Sequence, residues 1–230
     1  MRKPPLLFLL LIFFGQVAFA QNNSGNVVVP YNPPPPIYLR DVFTTPVEPK
    51  KYADIQGTPF LNDNWMLARL KVSRYKIIDS ISVKLNLYDR RLHFMNEKGE
   101  ELQAAIEFEE IDIIDTNSKW QNSVFLPGIG NDKEAFFQLL ADGKKIKLVK
   151  KLIVDKWESK AVGTGIQRRF ELDERLYLFL NGELYKANKS CTSINAFRND
   201  KNIQQFISTN NIRCNKEEDL KKLVDYINSL

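Results

Sequence analysis

"SVKLNLYDRRLHF", residues 82–94, decides how the chain is read. Val83, Leu85 and Leu87 alternate with Ser82, Lys84 and Asn86, a repeat of two that belongs to a half-buried strand. Asp89 and Arg90 offer a tight turn, after which Leu92 and Phe94 resume the alternation. Strands joined so closely lie side by side and antiparallel.

Three later stretches repeat the device: "FMNEKGEELQ" (94–103), "LLADGKKIKL" (139–148) and "LFLNGELYKA" (178–187). Each sets a glycine between strand-like arms. Asp142-Gly143 and Asn181-Gly182 fit two-residue type I′ turns, which demand positive φ at both positions. Recurrent hairpins place consecutive strands next to one another. Residues 57–186 are therefore expected to form an antiparallel β-meander, as an open sheet or a partly closed barrel, within an α+β fold.

After Lys186 the period becomes helical. Ile203, Phe206 and Ile207 mark a short helix that stops near Asn210-Asn211. Asn215 offers an N-cap with Glu218 three residues on. Leu220, Leu223, Val224, Ile227 and Leu230 then line one face. Residues 187–230 are expected to be a C-terminal helical hairpin.

The other end reads as an address. Arg2 and Lys3 precede an apolar run from Leu6 to Phe14, and Ala18-Phe19-Ala20 supplies a small-x-small cleavage site. The run is interrupted by Gly15 and Gln16, short of the roughly 20 residues a membrane span needs. Residues 1–20 are expected to be a cleaved secretory signal, leaving no transmembrane span and a periplasmic or cell-surface protein. No cysteine follows the cleavage site, which argues against a lipid anchor. The formal charge of +5 falls to about +3 without the leader, which does not demand a nucleic-acid partner. Residues 21–56, with Pro33 to Pro36, Pro46 and Pro49, read as an extended tether.

Cys191 and Cys214 are the only cysteines. Their spacing is not C-x-x-C, and the single histidine, His93, lies far upstream, so neither a thioredoxin-like motif nor a zinc site is read. Export favours a disulfide. A straight helix between residues 192 and 209 would hold its ends about 26 Å apart, whereas bridged α-carbons lie about 4.4–6.8 Å apart. The bridge thus requires a corner, for which Arg198-Asn199-Asp200 is suited.

"GTPFLNDNW" (57–65), "SVKLNLYDRRLHF", "LYLFLNGELYKA" (176–187) and "EEDLKKLVDYINSL" (217–230) together resemble an uncharacterised family of small exported proteins of Gram-negative bacteria. The resemblance implies a β-rich body with a terminal helical segment. It carries no activity, cofactor or catalytic residue.

Chemistry has few candidates. His93 is the sole imidazole for a Ser-His or Cys-His arrangement, and alternation sets it opposite the apolar face of its strand. No G-x-S-x-G elbow is present. Glu107 and Glu109 share a strand face about 6.8 Å apart, a separation seen in glycosidases, but Ile106 and Phe108 alternate with them as in any amphipathic strand. Their order is not that of a calcium loop. Gly128-Ile129-Gly130 and Gly163-Thr164-Gly165 lack the further glycine or lysine of a phosphate cradle. The six lysines between Lys144 and Lys156 read as solvated residues that protect strand edges. Trp65, Trp120 and Trp157 would form a sugar-stacking platform if they shared a surface; otherwise they are core or core-edge mass.

No residue set is assigned to catalysis, a cofactor or a metal. The leading expectation is a non-catalytic envelope or cell-surface binding or assembly module, with another envelope protein or a surface glycan as partner. One alternative is a hydrolase using carboxylates or a Ser-Lys pair. The other is a periplasmic carrier with an apolar ligand in a hollow lined by Leu85, Leu87 and Phe94.

Overall fold

The computed structural model describes residues 44–47, 51–73, 76–96, 98–104, 108–161, 165–197 and 199–230. The expected leader, residues 21–43 and 48–50 of the expected tether, Ile106, Glu107, Gly163, Thr164 and Arg198 lie outside the described residues.

Eleven strands are described: β1 (Thr44–Pro46), β2 (Met66–Ser73), β3 (Lys76–Asn86), β4 (Arg91–Met95), β5 (Glu101–Ala104), β6 (Glu110–Ile113), β7 (Val124–Ile129), β8 (Asp132–Ala141), β9 (Lys147–Ala161), β10 (Gly165–Leu180) and β11 (Glu183–Lys186). They form one antiparallel sheet in the order β1-β5-β4-β3-β2-β6-β7-β8-β9-β10-β11. Most neighbours are consecutive, as hairpins dictate. The exceptions are β1 beside β5 and β6 beside β2.

The alternation in residues 82–94 becomes register. Val83 lies opposite Phe94 and Leu85 opposite Leu92. All four are buried, and with Met66, Ile111, Ile113 and Phe125 they build a first core.

The sheet is open but strongly curled. Tyr88, in the β3–β4 turn, meets Phe170 of β10 with ring centres 5.1 Å apart. β3 and β10 stand six places apart in the sheet order, about 29 Å in a flat sheet at ~4.8 Å per strand. Accumulated twist brings them together. Residues 56–61 stitch the gap. The Gln56 N–H donates to the Arg168 carbonyl (3.0 Å), and the Phe170 N–H donates to the Gln56 carbonyl (2.9 Å). On the other side the Leu61 N–H donates to the Leu85 carbonyl (2.9 Å) and the Leu87 N–H to that of Pro59 (2.8 Å).

The described end of the expected tether is therefore part of the body. Thr44–Pro46 pairs with β5, where an edge strand tolerates the missing donor of Pro46. Tyr52 packs edge-on against Tyr88 and Phe170.

Asn181 (φ 52°) and Gly182 (φ 85°) make the expected type I′ turn between β10 and β11. Asp142-Gly143 does not. Gly143 is absent from the positive-φ glycines, and residues 142–146 form a longer loop between β8 and β9. The reason is Asn228. Its Oδ1 accepts from the Lys145 and Ile146 N–H groups (3.0 and 3.2 Å), and its Nδ2 donates to the Ile146 carbonyl (2.8 Å). A tertiary bond set replaces the local turn.

Beyond β11 a 3-10 segment (Thr192–Phe197) precedes two short helices, α1 (Lys201–Thr209) and α2 (Glu217–Ser229). The expected corner is capped by Asp200, whose side chain accepts from the Asn202 and Ile203 N–H groups. It lets Cys191 and Cys214 meet in a disulfide with α-carbons 5.1 Å apart. The cap of α2 is Lys216 rather than Asn215, and it makes no side-chain cap bond; Glu217, Glu218 and Asp219 instead fill the first turn, where the helix dipole favours acids. Leu220, Leu223, Val224 and Ile227 pack with Leu148 and Leu178 into a second core.

Candidate functional site

His93 is not a surface residue. It is 1% exposed, and Phe60, which runs antiparallel beside β3 opposite Asn86, sets its ring edge-on to the imidazole at 5.3 Å. Both ring nitrogens are engaged. Nδ1 lies 2.6 Å from Glu101 Oε1 and Nε2 lies 3.1 Å from Gln103 Nε2. A carboxylate accepts only, so Nδ1 carries the proton and Nε2 accepts from the Gln103 amide. A general base needs a free nitrogen facing a nucleophile; here the second nitrogen faces a primary amide. The arrangement fixes a tautomer and closes a buried polar site.

Glu109 projects to solvent and pairs with Lys71 at 3.4 Å; Glu107 lies outside the described residues. The tryptophans are dispersed. Trp65 and Phe60 share the Lys84 ammonium, at 4.7 and 5.4 Å from the ring centres. Trp120 packs against Phe125 at the first core with its Nε1 buried and unpartnered. Trp157 stands in β9 with the Arg169 guanidinium 4.3 Å from its ring centre. They build no common platform: one caps β3, one closes a core, one stands on the β9–β10 hairpin. Leu85, Leu87 and Phe94 are packed together in the first core and do not line a common hollow, although Leu87 also borders a cleft.

Sequence reasoning missed two features. The first is a cleft of about 760 Å³ lined by Leu87, Arg90, Asp132, Lys151, Leu152 and Glu183, among others. Its walls come from the β3–β4 turn, β8, β9 and β11, so no linear pattern could reveal it. Its charges are mixed, and Lys151 and Asp132 are bonded to each other.

The second is an arm. β8 pairs with β9 only from Leu148 to Leu152, and β11 pairs with β10 only from Tyr177 to Leu180. β9 and β10 stay paired to Ala161 and Gly165. Residues 153–161 and 165–173 thus run beyond both neighbours as a two-stranded ribbon whose base stays with the body: Val154 is buried in the first core, Phe170 packs against it, and Gln56 bonds to the backbone of Arg168 and Phe170. Such a ribbon is marginal in water. Here it is held by cross-strand contacts: Arg168 with Glu158 at 3.0 Å, and Arg169 over Trp157. It also exposes large apolar side chains, Trp157 at 41%, Ile166 at 50% and Leu172 at 51%. Cross-strand register puts Trp157 on one face, and Ile166 and Leu172 on the other. The signal in the sequence was the unusual length of two adjacent strand-like stretches, which strand lengths of 3–10 residues make exceptional.

Among the described residues no group of three or more His, Cys, Asp or Glu is placed to hold a metal ion, and no helix is long and apolar enough to cross a membrane. In comparisons with known proteins, no family model, no curated protein and no solved structure matches the chain.

Proposed function

We propose that this chain is an exported, non-catalytic binding or assembly module of the cell envelope, and that the β9–β10 arm is the part that engages a partner. One observation carries the reading: a two-stranded ribbon that leaves the body of the sheet with Trp157, Ile166 and Leu172 exposed. A partner that covers these side chains would supply the apolar burial that a two-stranded ribbon lacks by itself. A bare strand edge adds main-chain donors and acceptors, which suit a polypeptide partner better than a glycan.

Other features lean the same way. The imidazole of His93 has both nitrogens engaged, and the carboxylate of Glu109 is matched to Lys71. The disulfide suits an oxidising compartment, in agreement with the leader-like residues 1–20. The likeness to exported β-rich proteins of Gram-negative bacteria is part of this proposal.

The test is a photo-crosslinking residue at position 157 of the chain in the producing cell, with position 65 as control. A polypeptide adduct from 157 and none from 65 supports the reading; no adduct from 157 contradicts it. Export is tested by sequencing the N-terminus of protein from the envelope fraction. Gln21 is expected, and an intact Met1 would contradict export.

A further inference from the structure

Residues 153–161 of β9 carry no ladder partner on the side that β8 vacates, among the described residues. Their sequence is IVDKWESKA. The edge is nine residues long, and Trp157 is its midpoint.

A two-fold axis normal to the sheet is what relates two such edges in antiparallel pairing. That operation keeps each face of the sheet on its own side, so residue i must meet a residue of the same parity in the other copy. The axis must then pass through a residue, and each choice can be judged by charge. Centred on Lys156, two lysines oppose each other. Centred on Glu158, two glutamates oppose each other and Lys156 meets Lys160 twice. Centred on Trp157, Lys156 meets Glu158 twice, no like charges are opposed, and all nine residues are paired. A centre at Ser159 also matches charges, Glu158 with Lys160, but leaves residues 153–156 without partners among residues 153–161. Cross-strand opposite charges stabilise an antiparallel pair and like charges weaken it.

We propose that the partner edge is this same edge in a second copy of the chain, paired antiparallel with Trp157 on the two-fold axis. The inference rests on the reading of the arm as a binding element. It joins two sheets across their arms, covers a strand edge otherwise open to indiscriminate pairing, and buries Trp157 against its own counterpart.

The experiment is sedimentation velocity of the full mature chain across a concentration series. A concentration-dependent dimer is expected for the native sequence. Lys156→Glu and Glu158→Lys should each weaken it about tenfold, since each replaces two attractive pairs by two repulsive ones. The double exchange K156E/E158K should restore it. An equimolar mixture of the two single variants should form a heterodimer tighter than either homodimer, because one edge then carries two glutamates and the other two lysines. That readout separates the register from any damage to the fold. A chain that stays monomeric throughout, a dimer indifferent to these exchanges, or a mixture without gain would each overturn the proposal. An adduct from position 157 to a different polypeptide, with a monomer in solution, would sink the second copy while leaving the broader binding reading in place.

Discussion

Lys150 Nζ lies 2.8 Å from Glu217 Oε2, tying the start of β9 to the first turn of α2. Burial pushes the Glu217 carboxyl up, but hydrogen bonds and charge from Lys150 and Lys221 outweigh it and hold the group below its ordinary 4.5. A depressed carboxyl stabilises the fold above its unfolded value and loses that contribution as pH falls through the folded one. Denaturant stability should therefore fall below pH 4.5, and Glu217→Gln should flatten that decline. The same variant should cost about 1 kcal/mol at neutral pH, as a partly exposed pair does. An unchanged acid limb in the variant would show that the pair does not anchor α2.

Asn228 carries a second tie between helix and sheet. Asn228→Ala strands the Lys145 and Ile146 donors and should cost about 2 kcal/mol. A methyl group at Gly143 would fall 2.0 Å from Asn228 Nδ2, so Gly143→Ala should cost a similar amount by evicting the amide. The two changes destroy one arrangement. The double variant should lose far less than the sum, and additive losses in a double-mutant cycle would contradict the assignment.

Tyr52 Oη donates to Asp89 and accepts from Asn86 Nδ2 at 3.0 Å. Burial, then the bond to Asp89, pushes this phenol up to about 12. A raised value means the contribution is whole below the ordinary 10 and is lost as pH climbs from there through the folded value. Ultraviolet titration should show a tyrosine that ionises at about 12 and that Tyr52→Phe removes, whereas the upward shift of Tyr185, bonded to Glu183, should persist in the variant. If every tyrosine ionises near 10, the contact between residue 52 and the β3–β4 turn is not made in solution.

The Cys191–Cys214 bridge closes a loop spanning 23 positions. Replacing both cysteines by alanine should lower stability by about 3 kcal/mol. Mass spectrometry of the unreduced envelope protein should find both thiols blocked, and free thiols would argue against both the bridge and the oxidising compartment.

What could be read from residues alone was the part that local chemistry decides. The alternation at Val83, Leu85 and Leu87 gave strand, face and neighbour, because one buried face suffices to set a period of two. Asn181-Gly182 announced its turn because nothing tertiary competes there. Asp142-Gly143 carried an equally strong local signal and misled, since Asn228, 85 positions away from Gly143, satisfies that loop. His93 misled for a similar reason: alternation assigns a face to a residue but cannot say that Phe60 will return to cover it. The arm and the cleft depend on where neighbouring strands stop, which is a property of the whole sheet. The cysteine pair became legible once Asp200 was read as a corner.

The most direct measurement is hydrogen exchange on the amides of residues 153–161 in the full mature chain, at low and at high concentration. In dilute solution the amides that point away from β10 should exchange freely, every second residue along the edge. At high concentration, or in envelope extract, those same amides should become protected while the rest of the sheet is unchanged. Protection already complete at the lowest concentration, or none under any condition, would mean that this edge is not where the protein meets a partner.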